Sequence, residues 1–257
     1  MSKPLERDLE TLERDVLLQS SVVEEMIRTA SRALRDRRID AVEEVREAEL
    51  GVNDREVQIE DECLKILALH QPVAVDLRRV ATVLKVNSDL ERIADLAVNL
   101  AERSVALMEH PNFVLPTAIE RMVAVAIEMV RESLDALVDL DADSARRVCE
   151  RDDEVDDLNR KMIDSMATLM RNDSDAVVVA LHALSAARHV ERIADHATNI
   201  AEDVIYLVEG EIARHQHETS DSPNDSPNDN QEPTNPSTPS QSARSASVRP
   251  PQKTPRK

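Results

Sequence analysis

The chain has 257 residues, two glycines, no tryptophan, one tyrosine, one phenylalanine and a formal net charge of -19. So few turn-forming glycines and sheet-favouring aromatics exclude a β-rich or α/β protein and leave an all-α one. The acidic balance excludes nucleic acid as a partner, because gripping phosphates needs a basic face, and favours cations or basic protein surfaces instead.

The first predicted helix starts near Leu5. Its apolar positions are Leu5, Leu9, Leu12, Val16, Val23, Met26, Ala30 and Ala33, in steps of four and three, with Gln19 filling the gap. That stripe makes a long amphipathic helix for bundle packing. Arg37-Arg38 suits its negative C-terminal end. Asp40 reads as the N-cap of a second helix, with Glu43 as its capping-box partner. Gln71-Pro72 ends that helix near His70, since proline lacks an N–H and restricts its predecessor. A third helix is expected from about Val73 to Glu109. It has two apolar seams, one through Val73, Leu77, Val80 and Leu84, the other through Val83, Val86, Leu90 and Ile93. A helix apolar on two sides is the inner member of its bundle.

After Pro111 the pattern restarts. A fourth helix spans about 117–138, Leu140 to Ser144 caps a fifth that runs to about Met170, and Asn172 to Asp175 opens a sixth that ends near Gly210. The second half repeats the first at an offset of 103 residues through helices two and five and 100 through helices three and six. The expected architecture is two tandem, pseudo-symmetric three-helix bundles in line, at 1–110 and 117–217, with a linker at 111–116. Helices of about 30 residues would make a body about 45 Å long. Residues 218–257 are rich in Ser, Pro, Asn and Asp and are expected to be disordered, because such composition buries too little apolar surface to offset ordering entropy.

Cys63 and Cys149 stand alone, which fits a reducing compartment and argues against disulfides. The charged N-terminus shows no signal peptide and no apolar run approaches the ~20 residues of a membrane span.

The repeat is sharpest at Asp89-Leu-Glu-Arg-Ile-Ala-Asp-Leu-Ala-Val-Asn-Leu-Ala-Glu102 and His189-Val-Glu-Arg-Ile-Ala-Asp-His-Ala-Thr-Asn-Ile-Ala-Glu202, where nine of fourteen positions agree. Glu91, Asp95 and Asn99 step by four along one helix face, and Glu191, Asp195 and Asn199 repeat them. Hard cations take oxygen ligands, and carboxylates a turn apart can share them. Helix two adds Glu49, Asn53, Asp54 and Glu56; helix five adds Asp152, Asp153, Asp156 and Asp157. Of these, Asn53 and Asp156 are the candidate ligands beside the repeated triads. The same residues also make a solvated face salt-bridged to Arg92, Arg188 and Arg192. Asp89 becomes His189 and Leu96 becomes His196, so a histidine ligand could exist in the second half only. The chain has no phosphate-cradling glycine loop, no Glu-x-x-His and no nucleophile arrangement above background, so it reads as an interaction body and not an enzyme.

Two three-helix units, each with Glu-Arg-Ile-Ala-Asp ahead of Asn, resemble the PhoU family. Val52-Asn53, Ile59-Glu-Asp-Glu-Cys63, Gln71-Pro72, Asp76-Leu-Arg78 and Glu150-Arg-Asp-Asp-Glu-Val-Asp156 add to the match, which covers about residues 5–211. Ala94 and Ala194 stand where the family commonly has glycine. The resemblance implies a cytoplasmic, homodimeric negative regulator of phosphate uptake and phosphate-starvation signalling. It would link the ATPase subunit of the phosphate ABC transporter to a sensor histidine kinase and bind iron, zinc or magnesium on its Glu-x-x-x-Asp faces. A carboxylate-bridged metalloenzyme and an accessory of a different phosphate permease are the alternatives.

Overall fold

The computed structural model describes residues 3–210, and the sequence-based expectation of a disordered tail lies outside them. Six long helices follow one another: α1 (Lys3–Asp36), α2 (Ile39–His70), α3 (Val75–Met108), α4 (Thr117–Asp139), α5 (Ala142–Asn172) and α6 (Val177–Glu209). The α1 stripe is buried as its spacing requires, from Leu5 through Ala33, and Gln19 is buried with it.

Helix ends follow from local chemistry. Asp141 accepts hydrogen bonds from the backbone N–H of Asp143 and Ser144, both at 3.0 Å, and so caps α5. Asp173 accepts from the N–H of Asp175 at 2.9 Å and starts a 3-10 turn, Ser174–Ala176, that leads into α6. Asp40 is not the N-cap of α2. Arg38 occupies that position in an extended conformation, and Asp40, already in the first turn, takes the Arg38 guanidinium instead. There its charge still complements the helix dipole. With only two glycines available, Arg37, Gln71 and Leu140 adopt the left-handed conformation beyond α1, α2 and α4. Only α6 ends on a glycine, Gly210, with φ +77°. There the Arg78 guanidinium lies 3.3 Å from where a Cβ would be.

The outer seam of α3 begins later than its spacing suggests. Val73 lies before the helix, and it and Leu77 are exposed, whereas Val80 is buried. The helix starts two residues past Val73, at Val75.

Within each half the three helices pack on one another, α1, α2 and α3 in the first and α4, α5 and α6 in the second. The halves then join through α3 against α6 and α1 against α4. Arg78 donates to the Leu207 carbonyl at 3.3 Å, Lys85 reaches Asp203 at 2.8 Å and Asp89 meets His196 at 2.8 Å. As the α3 number rises the α6 number falls, so these helices run antiparallel. The bundles lie side by side and not in line. The second apolar face of α3, Val83, Val86, Leu90, Ile93, Ala97 and Leu100, is buried throughout, as the inner helix of a bundle requires. The linker is tied down by Arg37, whose guanidinium donates to the carbonyls of Pro111, at 2.9 Å, and Phe113.

Candidate functional site: two carboxylate faces

The four-residue step brings each triad to the edge of its helix that looks toward the second helix of the same half. In the first half, Glu91, Asp95 and Asn99 are half-buried on α3, and Glu49, Asn53 and Glu56 are half-buried on α2. Burial raises the Glu91 carboxyl above its ordinary range, the Asp95 charge raises it further, and Glu56 and Glu49 add smaller pushes against the pull of Arg92. Glu56 is also raised, by burial first and then by Glu60, with a smaller push from Asp95. The two helices therefore turn negative charge toward each other. Asp54 is exposed and takes no part.

Two amides sit among these charges. Asn53 donates through Nδ2 to Glu49 Oε1 at 2.5 Å, and its Oδ1 is buried with no hydrogen-bond partner. Asn99 donates through Nδ2 to the Asp95 carbonyl at 2.9 Å, one turn back. Each amide thus uses its N–H on an oxygen, and the Asn53 oxygen is left without a partner.

The second half repeats the arrangement on α5 and α6. Asp152 is pushed up to about 6, by burial first and then by Asp195, Asp156, Asp153 and Glu191. Burial and the neighbouring Asp195 charge raise Glu191, and burial and Asp156 raise Asp195, against the opposing charges of Arg188, Arg192 and His196. Asp157 faces outward and pairs with Arg160 at 3.0 Å. Asn199 is half-buried beside Asp195 in the sequence step.

The predicted residues are thus gathered as two separate groups, one per half: Glu91, Asp95, Asn99 and Asn53; and Glu191, Asp195, Asn199 and Asp156. Glu49, Glu56 and Asp152 belong with them. Their signal was the i, i+4 and i+7 spacing on α2 and the offset of 103, which places Glu49 on Asp152 and Asn53 on Asp156. Chemically the groups suit a hard cation: they offer clustered oxygens, carboxyls whose ionisation is opposed by burial and by one another's charge, and an unpartnered amide oxygen. Among the described residues, no three His, Cys, Asp or Glu side chains converge on one ion position. Holding an ion would therefore require the carboxylates to change rotamer. Of the arginines that could neutralise the faces, Arg92 makes one long pair with Glu91, at 3.5 Å.

The two histidines are not exposed neighbours of the site. His196 hydrogen-bonds Asp89 across the α3–α6 contact, and burial plus Arg103 lowers the pKa of His189 at the mirrored position. Both thiols are pushed up by burial, Cys63 to about 12 and Cys149 to about 11, so neither is a nucleophile at neutral pH. A cavity of about 610 Å³ beside Phe113 includes none of the face carboxylates.

A family model described as the PhoU domain matches residues 16–104 and again 119–204. A Deinococcus radiodurans protein named as a phosphate-specific transport system accessory protein PhoU homolog is 38% identical over 210 residues, covering 82% of this chain and 99% of its own. The Escherichia coli accessory protein PhoU is 32% identical over 208 residues, 81% of this chain and 86% of its own. Among solved structures, PhoU from Pseudomonas aeruginosa aligns with a TM-score of 0.76 at 36% identity, covering 80% of this chain and 99% of that one. The phosphate transport system regulatory protein PhoU from Streptococcus pneumoniae aligns at 0.77 with 26% identity, covering 81% and 99%.

Proposed function

This chain belongs to the PhoU family, and from that premise we propose that it is an accessory of the phosphate transport system that restrains uptake and phosphate-starvation signalling. It acts as a metal-binding cytoplasmic adaptor, working as a homodimer between the transporter's ATPase subunit and a sensor histidine kinase. The observation that carries the metal part is the pair of carboxylate faces, each built from two helices and each with carboxyls held above their ordinary range. The names of the relatives carry the transport part. No helix among the described residues is long and apolar enough to cross a membrane, so contact with a transporter would be made through its protein surfaces.

Glu91, Asp95, Asn99 and Asn53 would hold a cation on the first face, and Glu191, Asp195, Asn199 and Asp156 on the second. Iron, zinc or magnesium would each supply positive charge to a surface that otherwise repels itself. Glu49 orients Asn53 by accepting its N–H, which leaves the Asn53 oxygen to face the ion. Asp152, whose protonated form burial favours, would give up its proton when an ion binds beside it. Neither thiol is activated as a nucleophile, which fits a docking role.

The test is Glu91→Ala combined with Glu191→Ala. Metal uptake by the purified protein should weaken and phosphate-starvation genes should be expressed in phosphate-rich medium. Full repression in that double variant, with metal content unchanged, would contradict the proposal.

A further inference from the structure

The two ends of the α3–α6 contact are related by the duplication and differ in charge. At an offset of 100, each pair made at one end has a counterpart at the other with the helices exchanged. At the first end Lys85 of α3 pairs with Asp203 of α6 at 2.8 Å and lies 5.3 Å from the centre of the Tyr206 ring, and Asp89 meets His196 at 2.8 Å. The counterparts are Ser185 for Lys85, Arg103 for Asp203, Ala106 for Tyr206, His189 for Asp89 and Leu96 for His196. Arg103 lies eighteen residues along α3 from Lys85, and Ser185 lies eighteen back along α6 from Asp203. Eighteen residues make about five whole turns, so Arg103 and Ser185 come to face each other as Lys85 and Asp203 do.

The exchange removes both carboxylates of the first end and puts an arginine and a histidine in their places. It also removes both large side chains, since the half-buried Ser185 and Ala106 stand where the first end has Lys85 and Tyr206. Val105 is 41% exposed where its counterpart Ile205 is 6% exposed, so this end is the more open. Nearby acids do not restore the balance. Arg103, with 29% of its side chain exposed, has Glu102 at 4.0 Å, and Glu102 already takes Arg46 at 2.7 Å. Other half-buried arginines take a carboxylate directly, Arg79 from Glu13 at 3.0 Å and Arg151 from Glu132 at 2.8 Å. Arg103 Nε and His189 Nδ1 are both without a hydrogen-bond partner, and His189 Nε2 lies 3.4 Å from Ser185 Oγ. An unpartnered Nδ1 suits the tautomer with its proton on Nε2, which donates to Ser185 Oγ and leaves the Ser185 O–H to donate outward. The charges of Arg103, Arg192 and Arg188 all bear on His189.

We propose that the Arg103 end of the α3–α6 contact binds a small oxyanion of the phosphate class. The Arg103 guanidinium and the Ser185 hydroxyl are its donors. His189 is a positioning residue that holds the hydroxyl, and Arg188, exposed one turn on from Ser185, adds a second positive charge at the rim. A guanidinium fork with a hydroxyl beside it matches adjacent oxygens of a tetrahedral anion. Ser185 and Ala106 leave space for a ligand of a few atoms, where Lys85 and Tyr206 fill the first end with the protein's own groups. The anion thus takes the part that the Asp203 carboxylate plays for Lys85, as a counter-charge drawn from solvent. The site shares no residue with the carboxylate faces and needs no cation, so it is tested separately from them.

The experiment is calorimetric titration of the full chain, stripped of divalent cations, with inorganic phosphate at constant ionic strength. The parent should bind phosphate saturably, one per chain. Sulfate should compete, and acetate should bind at least about tenfold more weakly. Arg103→Asp with Ser185→Lys copies the Lys85–Asp203 pair into this end and so supplies an internal counter-charge. It should lower phosphate affinity at least about tenfold with helicity unchanged. Ser185→Ala keeps the arginine and should lower it about fivefold. No saturable phosphate binding by the parent, or equal affinity in the parent and either variant, would overturn the proposal. So would acetate binding as tightly as phosphate, which would make the site a dock for a partner's carboxylate. Phosphate binding that appears only with added divalent cation would overturn it too, by placing the anion on a metal at the carboxylate faces.

Discussion

The two carboxylate faces hold the same number of carboxylates but not the same ones. The first sets Glu49 and Glu56 on α2 against Glu91 and Asp95 on α3. The second sets Asp152 and Asp156 on α5 against Glu191 and Asp195 on α6. Asn53 occupies the Asp156 position and Asn159 the Glu56 position, and Glu49 is replaced by the shorter Asp152, so each face keeps four carboxylates in different places and of different length. In the second half two short aspartates a turn apart hold their charge close to the helix, and Asp152 is driven to about 6. In the first, the longer glutamates spread theirs and the upward shifts fall on Glu91 and Glu56. Charge count alone therefore does not set how strongly a face calls for a cation; side-chain length and burial do.

The largest effect expected from disturbing this pairing lies in the seam between the halves. Leu96 is buried at the position equivalent to His196, and Leu96→Ala should cost about 3 kcal/mol in chemical denaturation. A second contrast is functional. Glu191→Ala with Asp195→Ala should lower cation affinity of the second face by about a hundredfold, roughly 2.7 kcal/mol. Calorimetric titration should show the first face still binding in that variant, and the reverse for Glu91→Ala with Asp95→Ala.

The pH response follows from the sign of the Asp152 shift. Its folded value, about 6, lies above its ordinary 3.8, so the fold favours the protonated form. That contribution is complete below about pH 4 and is lost as pH rises through 6. Metal-free protein should therefore gain stability from this group when pH falls from 7 toward 4.5. Asp152→Asn should stabilise the metal-free protein at pH 7 by about 1–2 kcal/mol and flatten the trend. Saturating divalent cation should erase the advantage of Asn. The smallest effect is at the His196–Asp89 pair, where His196→Ala should cost about 1 kcal/mol by the same denaturation assay.

Much of this was legible in the chain. The α1 stripe, the breaks at Gln71-Pro72 and Pro111 and the repeated Glu-x-x-x-Asp step are local and periodic, and local periodicity is what a sequence displays openly. Asp40 falls in the first turn because the helix starts at Ile39, which puts the cap at Arg38, two residues before the acidic position, where the Arg38 guanidinium pairs with Asp40. The side-by-side packing was hidden because the apolar residues of α3 and α6 would serve equally in any bundle. The pairs that mark it, Lys85 with Asp203 and Asp89 with His196, join residues more than a hundred positions apart. Gln19 read as a harmless break in an apolar stripe, since only its unpartnered burial distinguishes it.

The central claim is that both faces hold cations. It is tested most directly by measuring metal content of protein purified without chelator, beside the variant carrying Glu91→Ala, Asp95→Ala, Glu191→Ala and Asp195→Ala. The parent should retain bound iron, zinc or magnesium and the fourfold variant should lose it while keeping its helicity; equal metal content in the two, or none in the parent even after incubation with these ions, would contradict the account.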